Sequence, residues 1–297
     1  MSDELFLITG ATGKTGTHAV RLLREKGLAV RALVHADDQR SRRLADLGAQ
    51  VVVADLLDFA AVSSAMAGVT AAYFCYPIDP GRLLEATTIF AQAASEAGVG
   101  AVVNMSQISA RREAKSHAAQ QHWLGERLLD RTALITTHLK PTFFADWLTT
   151  FWSRSNGEGV LRLPFADGRH APIVAADQAR VIAAILTNPA PHDRQSYPLY
   201  GPIELDHYEL AEKTSATLGI PVRYEPIEIE AFAEALTARG GSPFLVQHLS
   251  HVAQDYRDGV FSGTNNLVEV ISGTPATTVE QFSAANRAVF ERDGSLH

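Results

Sequence analysis

The residues best placed to do chemistry lie at the start of the chain, in Leu5-Phe-Leu-Ile-Thr-Gly-Ala-Thr-Gly-Lys-Thr-Gly16. Gly10 lets the chain turn sharply after an apolar run. Gly13 lets the backbone approach a diphosphate with no Cβ in the way, and Gly16 lets a following helix lie close to the preceding strand. The first-turn N–H groups of that helix then face an anion. A glycine spacing alone is common, but here an apolar run precedes it and a helical pattern through Val20, Leu22 and Leu23 follows. This context predicts a dinucleotide-binding turn, with Thr12, Lys14 and Thr15 completing it.

A second group of residues bears on proton transfer. The usual donor of short-chain dehydrogenases is a tyrosine four residues before a lysine, and no tyrosine of this chain has a lysine at that spacing. The corresponding helix carries His122 and Glu126, four apart and so on one face. An imidazole there could donate a proton or hydrogen-bond near the ribose and nicotinamide, oriented by the carboxylate. The alternative is a partly exposed helix histidine paired with its neighbour.

The end of the second strand bears on which dinucleotide binds. An acid holding the ribose hydroxyls is usual about 20 residues past the glycines, whereas this strand ends at His35, followed by Arg40, Arg42 and Arg43. That favours a 2′-phosphate and NADP(H), with NAD(H) possible, since Asp37 and Asp38 would repel the same phosphate. Arg42 and Arg43 also read as a solvated helix start. Other chemistries lack their patterns: there is no Gly-x-Ser-x-Gly elbow and no His-Glu-x-x-His. His248 and His251 lack a convincing set of further metal ligands, and Lys14 follows too short a loop for a triphosphate site.

These residues need a frame, and the pattern supplies one. Short runs of Val, Ala and Leu at 5–8, 29–34, 50–54, 71–75, 101–105 and 135–139 alternate with helical segments. That is the pattern of an α/β, Rossmann-type, doubly wound parallel sheet covered on both faces. Such a sheet binds ligands at the carboxyl ends of its strands. Those ends are Gly10, His35, Asp55, Cys75 with Tyr76 and Pro77, and Ser106. Asp55 could accept from an adenine amino group or only cap a helix. Leu56 could pack on the ring, and Tyr76 would lie nearer the nicotinamide or serve only in packing.

The dinucleotide-binding domain is assigned to 1–152, with a return to the sheet near 171–202, and a smaller, mainly helical substrate lobe closing over the cofactor to 153–297. In this scheme 145–152 is a helix, 153–159 a turn-rich crossing, and Asp167-Gly168 a hairpin turn. Helices are placed near 177–186, 205–218, 230–239, 243–258 and 278–290. Phe143, counted with the cofactor-binding residues, joins Tyr76, Phe144, Trp147, Phe151 and Trp152 as prospective pocket aromatics, although much of this run also suits plain core packing.

Composition narrows the setting. With 297 residues, 46% hydrophobic and 20% charged, the chain can bury a full core. A formal charge of -7 argues against nucleic acid or an anionic membrane as the main partner. The single cysteine excludes an internal disulfide and suits a reducing compartment, and neither a basic signal nor a membrane-spanning run occurs. A cytoplasmic protein is expected; its oligomeric state is left open.

Several stretches in order carry a family resemblance: Thr9-Gly-Ala-Thr-Gly-Lys-Thr-Gly16, Val30-Arg-Ala-Leu-Val34, Asp55-Leu56, Asn104-Met-Ser106, Leu139-Lys-Pro-Thr-Phe-Phe144, Asp167-Gly-Arg169, Tyr200-Gly-Pro202 and Tyr208-Glu-Leu-Ala211. Together they resemble the NmrA-like branch of atypical short-chain dehydrogenases over nearly the whole chain. The resemblance implies that the glycine turn binds NADP(H) or NAD(H). At the position of His122 the family often has lysine, whereas its quinone- and triphenylmethane-dye-reducing members carry histidine with glutamate four later, as here. The family's usual arginine at the second strand end is His35 in this chain, a departure that weakens the preference for NADP(H). The implied activity is an NAD(P)H-dependent reductase passing hydride to a small conjugated acceptor (a quinone, an azo or triarylmethane dye, or an imine), with His122 and Tyr76 as candidate catalytic residues. Some relatives are redox sensors, so the alternative is a non-catalytic, cofactor-binding regulator. An epimerase-like activity is disfavoured by the missing Tyr-Lys pair.

Overall fold

Runs of four to seven mostly apolar residues are too short for stable helices and too apolar for a surface, so they are buried as strands between helices. The computed structural model describes residues 4–78, 81–292 and 294–295. The first half of the chain alternates regularly: β1 (Leu5–Ile8), α1 (Lys14–Glu25), β2 (Ala29–Val34), α2 (Gln39–Asp46), β3 (Gln50–Val53), α3 (Phe59–Met66), β4 (Ala71–Phe74), α4 (Leu83–Glu96), β5 (Ala101–Met105), α5 (His117–Leu129) and β6 (Ile135–Pro141). Beyond it come α6 (Trp147–Thr150), β7 (Trp152–Ser155), β8 (Glu158–Leu163), α7 (Ala175–Thr187), β9 (Gln195–Leu199), α8 (His207–Leu218), β10 (Val222–Pro226) and α9 (Ile229–Ala238). The last elements are α10 (Pro243–Arg257), α11 (Leu267–Ser272), α12 (Val279–Ala285), α13 (Arg287–Phe290) and β11 (Gly294–Ser295).

Among the described residues the strands form a seven-stranded sheet in the order β3-β2-β1-β4-β5-β6-β9 and a four-stranded one in the order β10-β8-β7-β11. Pairing in the large sheet is parallel from β3 through β6, with Phe6 opposite Val30 on one side and Ala71 on the other. This is the doubly wound Rossmann arrangement, and the strand order reverses between β1 and β4. The chain forms two compact units. Unit 1 comprises Met1–Ala114, Ala118–Lys140 and Gln178–Tyr197; unit 2 comprises Lys115–His117, Pro141–Asp177 and Pro198–His297.

Unit 1 is held by a buried cluster that includes Leu7, Leu33, Met66, Phe74, Phe90 and Val102. Phe74 and Phe90 meet with ring centroids 4.4 Å apart. Each fully buried aliphatic or phenyl side chain stabilises by about 1.5–3 kcal/mol.

Unit 2 contains the expected helices and also the small sheet, which the sequence reading did not foresee. Four expectations need correction. The predicted helix over 145–152 is helical only over Trp147–Thr150, and Trp152 opens β7 instead. Its indole lies over Gly159 of the next strand, where a Cβ would sit 1.9 Å from the ring, and Nε1 donates to the Phe290 carbonyl at 3.1 Å. Burial of the largest side chain overrode the helical pattern.

The predicted crossing over 153–159 is an antiparallel hairpin, with Ser155 opposite Glu158. Asn156 and Gly157 turn it with positive φ of 53° and 80°, the Asn-Gly geometry of a two-residue turn. Conversely, Asp167-Gly168 makes only a local turn, with the Gly168 N–H donating to Phe165 O at 3.0 Å, and no hairpin. Gly168 is there for a different reason: a Cβ would meet the Tyr256 ring at 2.5 Å. The helix predicted over 278–290 is two, α12 and α13, separated at Asn286.

Candidate functional site

In a parallel sheet all carboxyl ends lie on one edge, and the crevice opens where the strand order reverses. In unit 1 that point lies between β1 and β4. Thr9, the last residue before the glycines, is fully buried and pins the two strand ends together. Its Oγ1 donates to the Cys75 carbonyl at 2.9 Å and accepts from the Cys75 N–H at 2.8 Å. Gly10 follows with φ +56°, a conformation strained for any side chain, and its missing Cβ would stand 3.5 Å from the Cys75 Cβ. The Cys75 thiol is pushed up by burial, so it remains protonated rather than nucleophilic.

The turn closes tightly. The Gly13 N–H donates to Gly10 O at 2.9 Å, and Thr17 Oγ1 donates to Ala11 O at 3.0 Å. A Cβ on Gly16 would stand 2.2 Å from Gly10 O and 2.8 Å from the Ala11 Cα, so only glycine lets the first turn of α1 sit against the loop. Gly13 occupies the N-cap with extended backbone and no side-chain cap, whereas α2 and α3 are capped by Asp38 and Asp58. A helix that starts without a capping side chain presents its first-turn N–H groups and the positive end of its dipole to an anion. The cradle therefore fits a pyrophosphate, and Thr12, Lys14 and Thr15 lie within it or at the start of α1.

The second-strand residues are arranged differently from the expectation of a free basic cluster. His35 is exposed just beyond β2. Arg40 is also exposed, and its guanidinium donates twice to Asp38, at 2.9 and 2.6 Å. Asp38 is simultaneously the α2 cap, accepting from the Arg40 and Ser41 N–H groups. The Arg40 side-chain hydrogen bond, with the Ser41 N–H, holds the Asp38 carboxyl below its ordinary range. Arg42 pairs with Asp37 at 3.6 Å. The acids that would repel a 2′-phosphate are thus occupied by neighbouring arginines.

Asp55 follows β3 on the same edge and accepts from the Leu57 N–H at 2.9 Å. It is not the helix cap that the alternative reading made it, because Asp58 caps α3 through Ala61 N. Leu56 is buried at 8% exposure. Tyr76 is 9% exposed and its ring belongs to the unit 1 core. Burial, helped by the Asp55 charge, pushes its phenol up, which keeps the hydroxyl protonated and able to donate at neutral pH.

His122 lies on α5 at 7% exposure, facing inward with Ala118, Ala119 and Glu126, so the partly exposed alternative does not hold. Glu126 is 2% exposed and is engaged from two other elements. Its Oε1 accepts from Ser106 Oγ at 2.5 Å and meets Lys140 Nζ at 3.3 Å. Lys140 also donates to Ala110 O at 2.9 Å. This Ser106–Glu126–Lys140 network joins β5, α5 and β6 at the carboxyl edge. Lys140 was missed by the sequence reading, since no linear spacing connects 106, 126 and 140.

Phe143 belongs to unit 2. Its ring meets Trp147 at 5.2 Å and Phe165 at 5.0 Å, in an aromatic interior that also holds His170, Tyr256 and Phe261. Trp147 stacks on Phe151 at 5.2 Å with an interplanar angle of 14°. Phe144 makes a lone bridge to Ile173, and Trp152 is the buried anchor of the hairpin.

Among the described residues no helix is long and apolar enough to cross a membrane. Comparison with known proteins agrees with the geometry. The chain is 30% identical over 288 residues to the NAD(P)H azoreductase of Xenophilus azovorans, covering 96% of this chain and 99% of that protein. Its fold is that of the NADPH-dependent quinone oxidoreductase of Escherichia coli complexed with NADPH, with a TM-score of 0.80, 24% identity and coverage of 94% and 99%. It is likewise that of the Citrobacter sp. triphenylmethane reductase complexed with NADP(H), with a TM-score of 0.79, 22% identity and coverage of 95% and 99%. Residues 2–274 match the model of the NmrA-like family, so the chain belongs to that family.

Proposed function

We propose that this protein is an NAD(P)H-dependent reductase that passes hydride to a small conjugated acceptor, such as a quinone, an azo or triarylmethane dye, or an imine. The observation that carries the proposal is the Gly10–Gly16 cradle, in which a Cβ on Gly16 would stand 2.2 Å from Gly10 O above an N-terminus without a side-chain cap. The 30% identity to an azoreductase over nearly the full length of both chains supports the same reading.

Gly10, Thr12, Gly13, Lys14, Thr15 and Gly16 hold the pyrophosphate. Asp55 and Leu56 take the adenine end, His35 and Arg40 face the ribose of that end, and Cys75, Tyr76, Ser106 and His122 form the remaining walls. NADP(H) is preferred and NAD(H) accepted, because Asp37 and Asp38 are occupied by Arg42 and Arg40. The nicotinamide supplies the hydride when bound. The protein aligns the acceptor and excludes water, while the neutral Tyr76 phenol and the buried His122 supply hydrogen bonds or a proton. A single cysteine and a net charge of -7 suit a cytoplasmic enzyme with a small-molecule acceptor rather than nucleic acid.

The test is to add NADPH or NADH with a panel of quinones, azo dyes and triarylmethane dyes and to follow the reduced-nicotinamide absorbance. Oxidation dependent on acceptor supports the proposal. Tight nucleotide binding with no turnover across the panel would replace it by the redox-sensor reading.

A further inference from the structure

Unit 2 contains a crevice of about 240 Å³ between helix α9 and the start of the β7–β8 hairpin. Its walls are apolar and aromatic: Phe151, Trp152, Ile227, Phe232 and Leu236. Two guanidinium groups, Arg162 and Arg239, also line it. The aromatic wall is built rigidly. Trp152 is fixed by its bond to Phe290 O and by the space that Gly159 leaves for the ring. Phe151 is held between Trp147, stacked at 5.2 Å, and Phe232, at 5.7 Å.

The two cations differ in their engagement. Arg162 is paired with Glu225 at 3.1 Å. Arg239 has no ion-pair or side-chain hydrogen-bond partner among the described residues, and it is exposed at the crevice mouth. Apolar walls reject a charged body but accept a flat ring, and a guanidinium fork is matched to a carboxylate or sulfonate.

We infer that this crevice binds a planar aromatic anion of one or two fused rings, its rings against Phe151, Ile227 and Leu236 and its acidic group on Arg239. The inference concerns unit 2 alone and needs no nucleotide.

The test is calorimetric titration with naphthalene-2-carboxylate and, as a neutral comparator of the same shape, 2-naphthol at neutral pH. The wild-type protein is expected to bind the carboxylate saturably and more tightly than the naphthol. Arg239→Ala should weaken the carboxylate by about fivefold or more and leave the naphthol unchanged. Ala235→Trp, at an exposed lining position of α9, should fill the crevice and remove both, with thermal unfolding confirming that each variant is folded. No saturable binding by the wild type, equal loss of both ligands in Arg239→Ala, or retained binding in Ala235→Trp would each overturn the assignment.

Discussion

Units 1 and 2 solve the same problem, holding polar chemistry inside an apolar body, in opposite ways. Unit 1 builds its candidate site from backbone: a glycine turn whose geometry requires the absence of side chains at Gly10 and Gly16. Its buried His138 meets a carboxylate, with Nε2 3.0 Å from Asp130 Oδ1. Burial pushes the Asp130 carboxyl up, but the His138 bond and charge, with Arg127 and Thr136, outweigh it and leave the carboxyl low. Unit 2 builds with side chains and leaves its buried imidazoles uncharged. The Tyr256 hydroxyl hydrogen-bonds His170 Nδ1 and faces His207 Nδ1 at 3.4 Å, and His248 Nδ1 bonds Ser116 Oγ at 2.7 Å. Burial depresses His207 to about 3 and His248 to about 4, and holds His170 well below its ordinary value. The difference teaches that a turn made of backbone has no group of its own to titrate there, while the buried imidazoles of the aromatic unit carry acid sensitivity.

The largest effect should therefore come from acid. Folding lowers these imidazole pKa values, so below about pH 6.5 the unfolded chain takes up protons that the folded chain refuses. Their contribution is intact above that pH and drains as pH falls toward the folded values. At pH 5, His207 and His248 should each cost on the order of 2 kcal/mol of unfolding free energy relative to pH 7. Urea unfolding at the two pH values measures this, and equal midpoints would break the comparison.

On the side of unit 1, Gly16→Val should reduce nucleotide affinity about 100-fold, because nearly 3 kcal/mol of strain has to be relieved by moving the loop. Calorimetry with NADPH reads it; wild-type affinity would mean that the turn is not the grip. Smaller and more specific is His122→Ala, which should lower turnover by about tenfold or more while changing nucleotide affinity little. Unchanged turnover would make His122 a packing residue.

The smallest effect is expected from Arg40→Ala. Its guanidinium is exposed and already bonded to Asp38, so NADPH should weaken by only about threefold, and NADH less. Equal weakening of both nucleotides would remove Arg40 from the account of phosphate selection.

The glycine turn is legible because it is local: seven consecutive residues, Gly10 to Gly16, lead from a strand into the first turn of a helix. His122 and Glu126 were placed on one face by helical period, yet the Glu126 partners Ser106, just past β5, and Lys140, on β6, leave no trace in the spacing. The β7–β8 hairpin was missed although Asn156-Gly157 is a strong turn signal, because bulky Trp152 continued the helical pattern before it. Likewise, Asp167-Gly168 looked like a hairpin turn but serves the Tyr256 ring.

By itself the sequence determined the parallel sheet, its strand ends and the anion cradle, because period, burial and glycine backbone freedom act over a few neighbouring residues. Only tertiary structure decided that Glu126 joins Ser106 to Lys140. It also decided that Trp152, Phe232 and Arg239 share one crevice. Each of those depends on side chains from separate elements meeting at a few ångströms, and that distance exists only once the chain has folded.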